Sequence, residues 1–397
     1  MLKSRVGQSI KEDSYDMGVE VATEATKNMN HLKLNILYTS CKNDIKKTIR
    51  GIRTITETPI IGCTSSGGVI TPEGYITSEN GFAGMMSLDD EYLNIGVACK
   101  EASSRGDARA IGRKVAIEAV SNAKSTRAPA YFYMIASPKD EEAYLMGIQD
   151  VIGRVPMFGG SCADDTVTGD WKIICNDKVI DDGVAVAFFY TDNEIVTSFT
   201  GAYKETKNIG LITEVKNNRE LVSIDGISAL KKYAQWCDVT PGSLKGENLL
   251  KESVKRPLGI KDPLGNLTVI RHPMFGNDKG TRTVEDDTIM LGNNVVENTA
   301  IIQLQASTNN LIDAPAEVLK DVKKQLYTDA AAYILIHDGA RRMILEDKID
   351  EVYKQVLKEA KDVPFIMPFT FGEYGYDEHS SNICGGLMLS FTAIGKD

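Results

Sequence analysis

Residues that bind metals or form disulfides are scarce or scattered in this sequence. It has four histidines among 397 residues, and its seven cysteines are spread along the chain with no Cys-x-x-Cys pair. An odd number of scattered cysteines argues against a disulfide framework and against a zinc site, and it is typical of proteins in a reducing compartment. We therefore expect neither a metal site nor structural disulfides.

Long apolar runs and an excess of basic residues are missing as well. Uncharged runs such as 383–395 are too short to span a bilayer, and the first residues contain no apolar segment of the kind that directs secretion. The formal net charge of −10 disfavours nucleic acid as a partner. These absences predict a cytoplasmic protein with no membrane insertion and no nucleic-acid partner.

One type of stretch occurs three times, at 59–68, 156–165 and 364–375. Each stretch begins with an apolar run after a proline and ends in glycine, hydroxyl-bearing or acidic residues. Proline suits the first residue of a strand and ends the helix before it, while glycine lets backbone N–H groups approach a ligand closely. We call these stretches the first, second and third corner, and we predict that their tips meet around one binding site.

The predicted order of strands and helices around the corners repeats as well. Each corner is preceded by a strand, a helix, a second strand and a second helix, and a further strand follows it. Ser137 and Pro138 predict the first turn of the helix that leads to the second corner. Such repetition indicates pseudo-symmetric packing, and sites often lie where repeats meet.

This pattern predicts an α/β (α+β) fold of layered sheets flanked by helices, with two central sheets face to face and a smaller inserted β-rich subdomain. Its building block is a strand-helix-strand-helix-strand-strand unit. The predicted domains are an N-terminal one at 1–193, with units 1–90 and 91–193, and a C-terminal one at 194–397, with the insertion at 194–298 and the third unit at 299–397. The third unit is predicted to begin with a strand at 299–306.

The corners and a nearby arginine pair carry the groups that an amino-acid site needs. Carboxylates accept hydrogen bonds from an ammonium group, and an arginine can grip a carboxylate with two parallel bonds. Alternatively, the two aspartates of the second corner cap a turn, Arg341 caps or pairs structurally, and Tyr374 belongs to the core. The predicted ligand-binding residues are Gly62, Cys63, Thr64, Ser65, Ser66, Gly160, Ser161, Asp164, Asp165, Arg341, Arg342, Gly372, Glu373 and Tyr374.

Five segments together resemble the FIST family: 62–68, 158–165, 215–230, 339–342 and 371–375. The resemblance implies an intracellular sensory module that binds small ligands, amino acids among them, and that is often attached to signalling domains. It also implies a signalling partner, such as a kinase or a chemoreceptor, or self-association. The chain departs from the family pattern at Val69, at 161–163 and at the His337-Asp338 pair, and these departures leave the ligand open.

Two alternatives stay open at this point. A thiol-dependent hydrolase or transferase could use Cys63 or Cys162 as its nucleophile, with His337 as the best candidate base. The family resemblance also implies a haem-based gas sensor as an alternative, and His272 or His379 would then be the haem ligand. Otherwise we expect no cofactor.

Overall fold

Three equivalent six-stranded sheets form the frame of the chain in the computed structural model, which describes residues 1–102, 107–246, 248–262, 267–278, 287–377 and 381–397. Each sheet takes four of its six strands from one repeat unit. The first unit consists of β1 (Lys3–Ser9), α1 (Ser14–Thr26), β2 (Leu32–Thr39), α2 (Ile45–Arg53), β3 (Ile60–Thr64), β4 (Val69–Thr71), β5 (Gly74–Ile76) and β6 (Ala83–Asp89). The second consists of β7 (Asn94–Glu101), α3 (Ala108–Ala123), β8 (Tyr131–Ala136), α4 (Glu141–Ile152), β9 (Met157–Ser161), β10 (Ile173–Cys175), β11 (Lys178–Ile180) and β12 (Gly183–Tyr190).

The third unit is interrupted after its first strand, β13 (Ile195–Thr200). The insertion contains β14 (Lys204–Lys216), β15 (Glu220–Ile224), β16 (Ile227–Ser228), α5 (Ala229–Cys237), α6 (Asn248–Ser253), β17 (Leu258–Lys261), β18 (Thr268–Arg271), β19 (Pro273–Asp278), β20 (Asp287–Leu291) and β21 (Ala300–Gln305). The third unit then resumes with α7 (Thr308–Gln325), β22 (Ala330–Asp338), α8 (Gly339–Leu345), α9 (Ile349–Ala360), β23 (Phe365–Thr370), β24 (Glu373–Tyr376), β25 (Asn382–Gly385) and β26 (Leu389–Gly395).

Apolar runs explain the central strands. The corner strands β3, β9 and β23 are buried along their whole length and pair in parallel with β2, β8 and β22. Strands covered on both faces need such continuous apolar runs. One core cluster joins residues of all three sheets, Ile61, Tyr133 and Ile334 among them, and separate clusters lie between each sheet and its own helices.

The corner strands are completed by hairpins from other units. Strand β10 of the second unit pairs with β3 of the first, β24 of the third pairs with β9 of the second, and β4 of the first pairs with β23 of the third. Each unit thus gives its hairpin to the sheet of another unit, and the three exchanges form a closed cycle. Each corner loop, which connects a corner strand to its own hairpin, must therefore cross from one sheet to the next.

The predicted fold class is confirmed: this is a mixed α/β protein in which sheets are flanked by helices. The predicted pair of stacked sheets was wrong, because three equivalent sheets share the central core. The strand predicted at 299–306 exists as β21 but pairs with β14 and β17 of the insertion. The position of β1 and β7 is taken in the third sheet by β13, which pairs with β26.

The predicted start of the helix before the second corner was also wrong. Helix α4 begins at Glu141 rather than at Pro138. The Ser137 hydroxyl instead accepts a hydrogen bond from the Gly183 N–H group at 3.0 Å, which ties the end of β8 to β12. Ser137 therefore bonds to a residue distant in the sequence and does not cap the helix.

Candidate functional site

The three corner tips meet, as the sequence predicted, and they do so in a closed ring of backbone hydrogen bonds. That they surround a binding site stays a prediction. In each bond an N–H group of one corner donates to a carbonyl of another. The three bonds occupy equivalent positions of the units: Ser66 N–H to the Phe369 carbonyl at 2.9 Å, Ala163 N–H to the Thr64 carbonyl at 3.0 Å, and Phe371 N–H to the Ser161 carbonyl at 3.2 Å. We call this arrangement the tip ring.

Gly62 and Cys63 of the first corner lie inside the sheet. A Cβ atom at Gly62 would fall on the carbonyl oxygen of Leu37 in the parallel neighbouring strand, so the glycine allows two strands to approach. The Cys63 side chain is fully buried in the central core. Both residues therefore have a packing role.

The hydroxyl groups of the first corner differ in whether the chain satisfies them. Thr64 Oγ1 accepts a hydrogen bond from the Lys172 N–H group at 2.9 Å. Ser65 Oγ donates to the Gly68 carbonyl at 2.6 Å. Ser66 Oγ is buried and has no partner among the described residues. Ser66 is thus the hydroxyl of this corner that is available to a ligand.

In the second corner, Asp164 organises its own loop. Its carboxylate accepts backbone N–H groups from the five residues 166–170, four of them at 2.8 to 3.1 Å. Asp165 accepts the Gly67 N–H group at 2.7 Å and faces the ammonium group of Lys42 at 3.5 Å. Hydrogen bonds within the chain therefore occupy both aspartates, in line with the alternative that they cap a turn.

The remaining residues of the second and third corners hold these corners together. Ser161 Oγ and the Tyr374 hydroxyl lie 2.6 Å apart, and the Ser161 N–H group donates to the Gly372 carbonyl at 2.8 Å. Gly160 lies against Gly372 and Thr370, with no room for a side chain. All of them are buried, so these contacts fix the shape of the ring.

Glu373 is buried at the start of β24, and both of its carboxyl oxygens have partners. One accepts from Thr370 Oγ1 at 2.9 Å and the other from the Met388 N–H group at 2.8 Å. Burial, and then the nearby Asp338 carboxyl, raise the pKa of Glu373 well above its ordinary value. Because both oxygens of Glu373 already have partners within the chain, this carboxyl group is not free to receive an ammonium group.

The two arginines point to different places. Arg341 is fully buried, donates from Nη1 to the carbonyls of Gly201 at 3.0 Å and Leu387 at 3.3 Å, and lies over the ring of Tyr203. Its Nε and Nη2 atoms have no partner among the described residues. Arg342 instead covers Gly67 and donates from Nε to the Tyr75 hydroxyl at 3.1 Å. Arg341 is therefore the guanidinium with free donors.

The turn between β22 and α8 positions Arg341. Asp338 caps α8 by accepting the Arg341 N–H group at 2.9 Å, and its other oxygen accepts the Leu387 N–H group at 3.1 Å. Burial raises the pKa of Asp338 to about 6. Gly339 follows, and a Cβ atom there would lie 3.2 Å from Cβ of Ser66, so the turn rests against the first corner.

His337 completes this group, although the sequence suggested it only as a catalytic base. The ring is fully buried, with Nδ1 at 2.9 Å from the Asp338 carbonyl oxygen and Nε2 without a partner. Burial lowers the pKa of His337 to about 3, so the ring is neutral at pH 7. Because a carbonyl can only accept, Nδ1 carries the proton and Nε2 is a free acceptor. We call Ser66, His337 and Arg341 the polar turn.

The thiol alternative finds little support in this geometry. Cys63 and Cys162 are both fully buried, and burial raises the pKa of each thiol well above its ordinary value. A cysteine nucleophile acts as the thiolate, which such surroundings disfavour. The neutral His337 ring has its hydrogen bond to the Asp338 carbonyl rather than to either sulfur atom.

Of the two histidines suggested as haem ligands, His272 already has a hydrogen-bond partner within the chain. His272 is buried, its Nε2 lies 3.0 Å from Ser253 Oγ, and burial lowers its pKa to about 3. An iron ligand at Nε2 would have to displace this bond. His379 lies outside the described residues. Within the described ranges no group of three or more His, Cys, Asp or Glu side chains could hold a metal ion, and none of the helices there is long and apolar enough to cross a membrane.

Family models identify the chain. The model of the FIST N domain matches residues 33–227, and the model of the FIST C domain matches residues 229–376. The chain belongs to the FIST family. FIST domains are sensory domains that bind small ligands in signal transduction, so the sensory interpretation of the sequence is confirmed at this level. The junction of the two matches lies inside the insertion, and the FIST N match therefore includes β13, the first strand of the third unit.

Individual proteins resemble this chain only weakly. No curated protein matches the chain at a significant level. Among solved structures, a cyanuric acid hydrolase from A. caulinodans covers 100% of both chains at 9% identity, with a TM-score of 0.39. A chorismatase covers 100% of this chain and 98% of its own at 7% identity, with a TM-score of 0.37. At this level of similarity, neither activity is transferred to the FIST chain.

Proposed function

We propose that this FIST chain is a cytoplasmic sensory protein that binds a small amino acid at the polar turn, beside the tip ring, and signals through a protein partner. The observation that carries the proposal is that Arg341 keeps two buried donors, Nε and Nη2, without a partner among the described residues. The turn that begins with Gly339 rests against Ser66, whose hydroxyl also has no partner there. A buried donor without an acceptor costs about 1–3 kcal/mol. A ligand that supplies the acceptor recovers this free energy.

The free atoms of the polar turn match the two ends of an amino acid. Two guanidinium donors suit a carboxylate in bidentate geometry. The free lone pair of His337 Nε2 suits an N–H donor of the ammonium group, and Ser66 Oγ can accept or donate. In this arrangement His337 takes the role that the sequence gave to Asp164, Asp165 and Glu373, whose oxygens already have partners within the chain.

The same turn offers a route for the signal. Asp338 caps the start of α8, and Arg342, the residue after Arg341, packs on Gly67 of the first corner. A ligand that draws Arg341 towards itself changes the start of α8 and its contact with the first unit. We propose that a signalling protein, such as a kinase or a chemoreceptor, or a second copy of the chain, reads this change.

The first test is a thermal-shift screen of the full chain against the standard amino acids, followed by calorimetric titration of any hit. At about 100 times its Kd, a ligand that binds only the native state stabilises it by about 2.7 kcal/mol. If no amino acid stabilises the chain, the proposed ligand class is wrong.

The second test separates binding from folding. Ser66→Ala removes a hydroxyl that has no partner in the protein, so the unliganded chain should keep its stability while ligand affinity falls by roughly fivefold, or about 1 kcal/mol. The matched control is Ser137→Ala, which removes a buried hydroxyl that accepts the Gly183 N–H group. The control should lower stability and leave affinity unchanged. Unaltered affinity in both Ser66→Ala and Arg341→Met would place the ligand elsewhere.

A further inference from the structure

A pocket of about 510 Å³ lies away from the tip ring, between helix α4, strands β17 and β18 of the insertion, and strand β25. Its volume is within the range of roughly 300–1,000 Å³ that is usual for small-molecule sites. Much of its wall is apolar: Leu145, Met146, Ile260, Val269 and Ile383. It shares no residue with the polar turn.

Two buried polar atoms without partners belong to side chains that line this pocket. Asn382 donates from Nδ2 to the Val155 carbonyl at 2.8 Å, which fixes the amide, and its Oδ1 then has no partner. Arg271 donates from Nη1 to the Cys384 carbonyl at 3.0 Å, and its Nε has no partner. Two lining side chains thus each carry an unpartnered atom, one a charged donor and the other a neutral acceptor.

Besides Arg271, the pocket is lined by the charged side chains of Glu142, Lys261 and Asp262. Lys261 pairs with Glu205 at 3.4 Å, and Glu142 is also engaged. Its carboxylate accepts from the Asn294 N–H group at 3.3 Å and lies 3.5 Å from Nη2 of Arg219. Burial is the main influence on Arg271, and it lowers the pKa of that guanidinium. A desolvated guanidinium of this kind gains from an anionic partner.

We propose that this pocket is a second ligand site, which takes an N-acylated apolar amino acid. The carboxylate accepts from Arg271 Nε, the amide N–H donates to Asn382 Oδ1, and the apolar side chain packs on Leu145, Ile260 and Val269. An amide N–H brings no positive charge into the wall that holds the Arg271 guanidinium, whereas a free amino acid would bring an ammonium group there. The site is thus distinct in ligand class from the polar turn.

One hairpin, formed by β24 and β25, links the pocket to the tip ring. Cys384 on β25 pairs with Tyr374 on β24, and Tyr374 bonds to Ser161 in the second corner. A ligand in the pocket would therefore contact β25, which pairs with the strand that bonds to the second corner. Occupancy of the pocket is expected to alter amino-acid affinity at the polar turn if both proposals hold.

The probe is N-acetyl-L-leucine, titrated into the full chain by calorimetry, with its methyl ester as the control that lacks the carboxylate. We expect saturable binding of one molecule per chain, no binding of the ester, and a roughly ten- to hundredfold loss of affinity in Arg271→Gln. Arg341→Met should leave this binding intact. The proposal would be overturned if no saturable binding were seen up to about 10 mM probe. A Kd above this concentration means a binding free energy weaker than about 3 kcal/mol.

A second variant, at the pocket rim, keeps the proposal testable if Arg271→Gln fails to fold. Met146 lines the pocket and is 52% exposed, so Met146→Cys labelled with a maleimide, in a Cys41→Ser background, should block the probe. The matched control is labelled Ile117→Cys on α3, a residue that is 59% exposed and does not line the pocket. Equal probe binding by the two labelled chains would also overturn the proposal. A free amino acid that still stabilises the blocked chain would leave the polar-turn proposal standing.

Discussion

Replacing Asp164 with alanine should destabilise the chain without weakening ligand binding. The carboxylate is fully buried, and five successive backbone N–H groups, those of residues 166–170, donate to it. Each net hydrogen bond to a charged acceptor contributes about 1.5–3 kcal/mol, but the donors here share one carboxylate. Much of the 166–170 loop is exposed, so water can satisfy the released N–H groups. We therefore expect a loss of about 2–4 kcal/mol in the free energy of unfolding, well below the sum of five bonds.

The assay is urea unfolding of wild type, Asp164→Ala and the neighbouring control Asp165→Ala. Asp165 accepts one N–H group and faces a half-exposed lysine, so its replacement should cost only about 1 kcal/mol. Faster hydrogen exchange at 166–170 in Asp164→Ala would locate the damage. The reasoning is refuted if Asp164→Ala loses less than Asp165→Ala, or if its stability is unchanged while ligand affinity falls.

Two further predictions concern protonation. Burial sets the pKa of His337 to about 3, against 6.5 for an unperturbed histidine, so the unfolded state binds the proton more readily. The part of the free energy of unfolding that depends on a neutral His337 is fully present above pH 6.5 and is lost as the pH falls towards 3. The loss between pH 6.5 and pH 5 is about 2 kcal/mol. Unfolding measured at pH 7 and 5 should show that His337→Gln removes this part of the pH dependence, and an unchanged difference would contradict the assignment. Cys63 and Cys162 should resist iodoacetamide at pH 7 until the chain is unfolded, as read by mass spectrometry; rapid labelling of either thiol in the native chain would restore the thiol-enzyme alternative.

The pseudo-threefold frame gives the three units equivalent geometry but different chemistry. Ser40 follows β2, Ser137 follows β8, and Asp338 is the last residue of β22. Of these three residues, Asp338 alone is followed by the Gly-Ala-Arg-Arg segment at 339–342. The first unit thus supplies the unpartnered Ser66 hydroxyl, and the third unit supplies the unpartnered Arg341 guanidinium and His337. A duplicated fold can carry different ligand chemistry in its copies because backbone hydrogen bonds close the ring whatever the side chains are.

The sequence by itself determined the local elements and the meeting of the corners. Apolar runs after Pro59, Pro156 and Pro364 specify buried strands, and strands that end in glycine and small polar residues specify tight loops, because both properties depend on residues adjacent in the chain. The family resemblance at the corners and around Asp225 was confirmed by the FIST N and FIST C matches.

Only the tertiary structure decided which sheet each hairpin joins, and which polar atoms remain free. A hairpin such as β10–β11 shows the same pattern whether it pairs with its own unit or with β3, because a strand edge carries the same backbone groups everywhere. Likewise Ser65 and Ser66 look alike in sequence, yet distant backbone groups engage the first and leave the second unpartnered. Satisfaction of a buried polar atom depends on neighbours far along the chain, and so the arrangement at the polar turn became visible only once the three units were packed together.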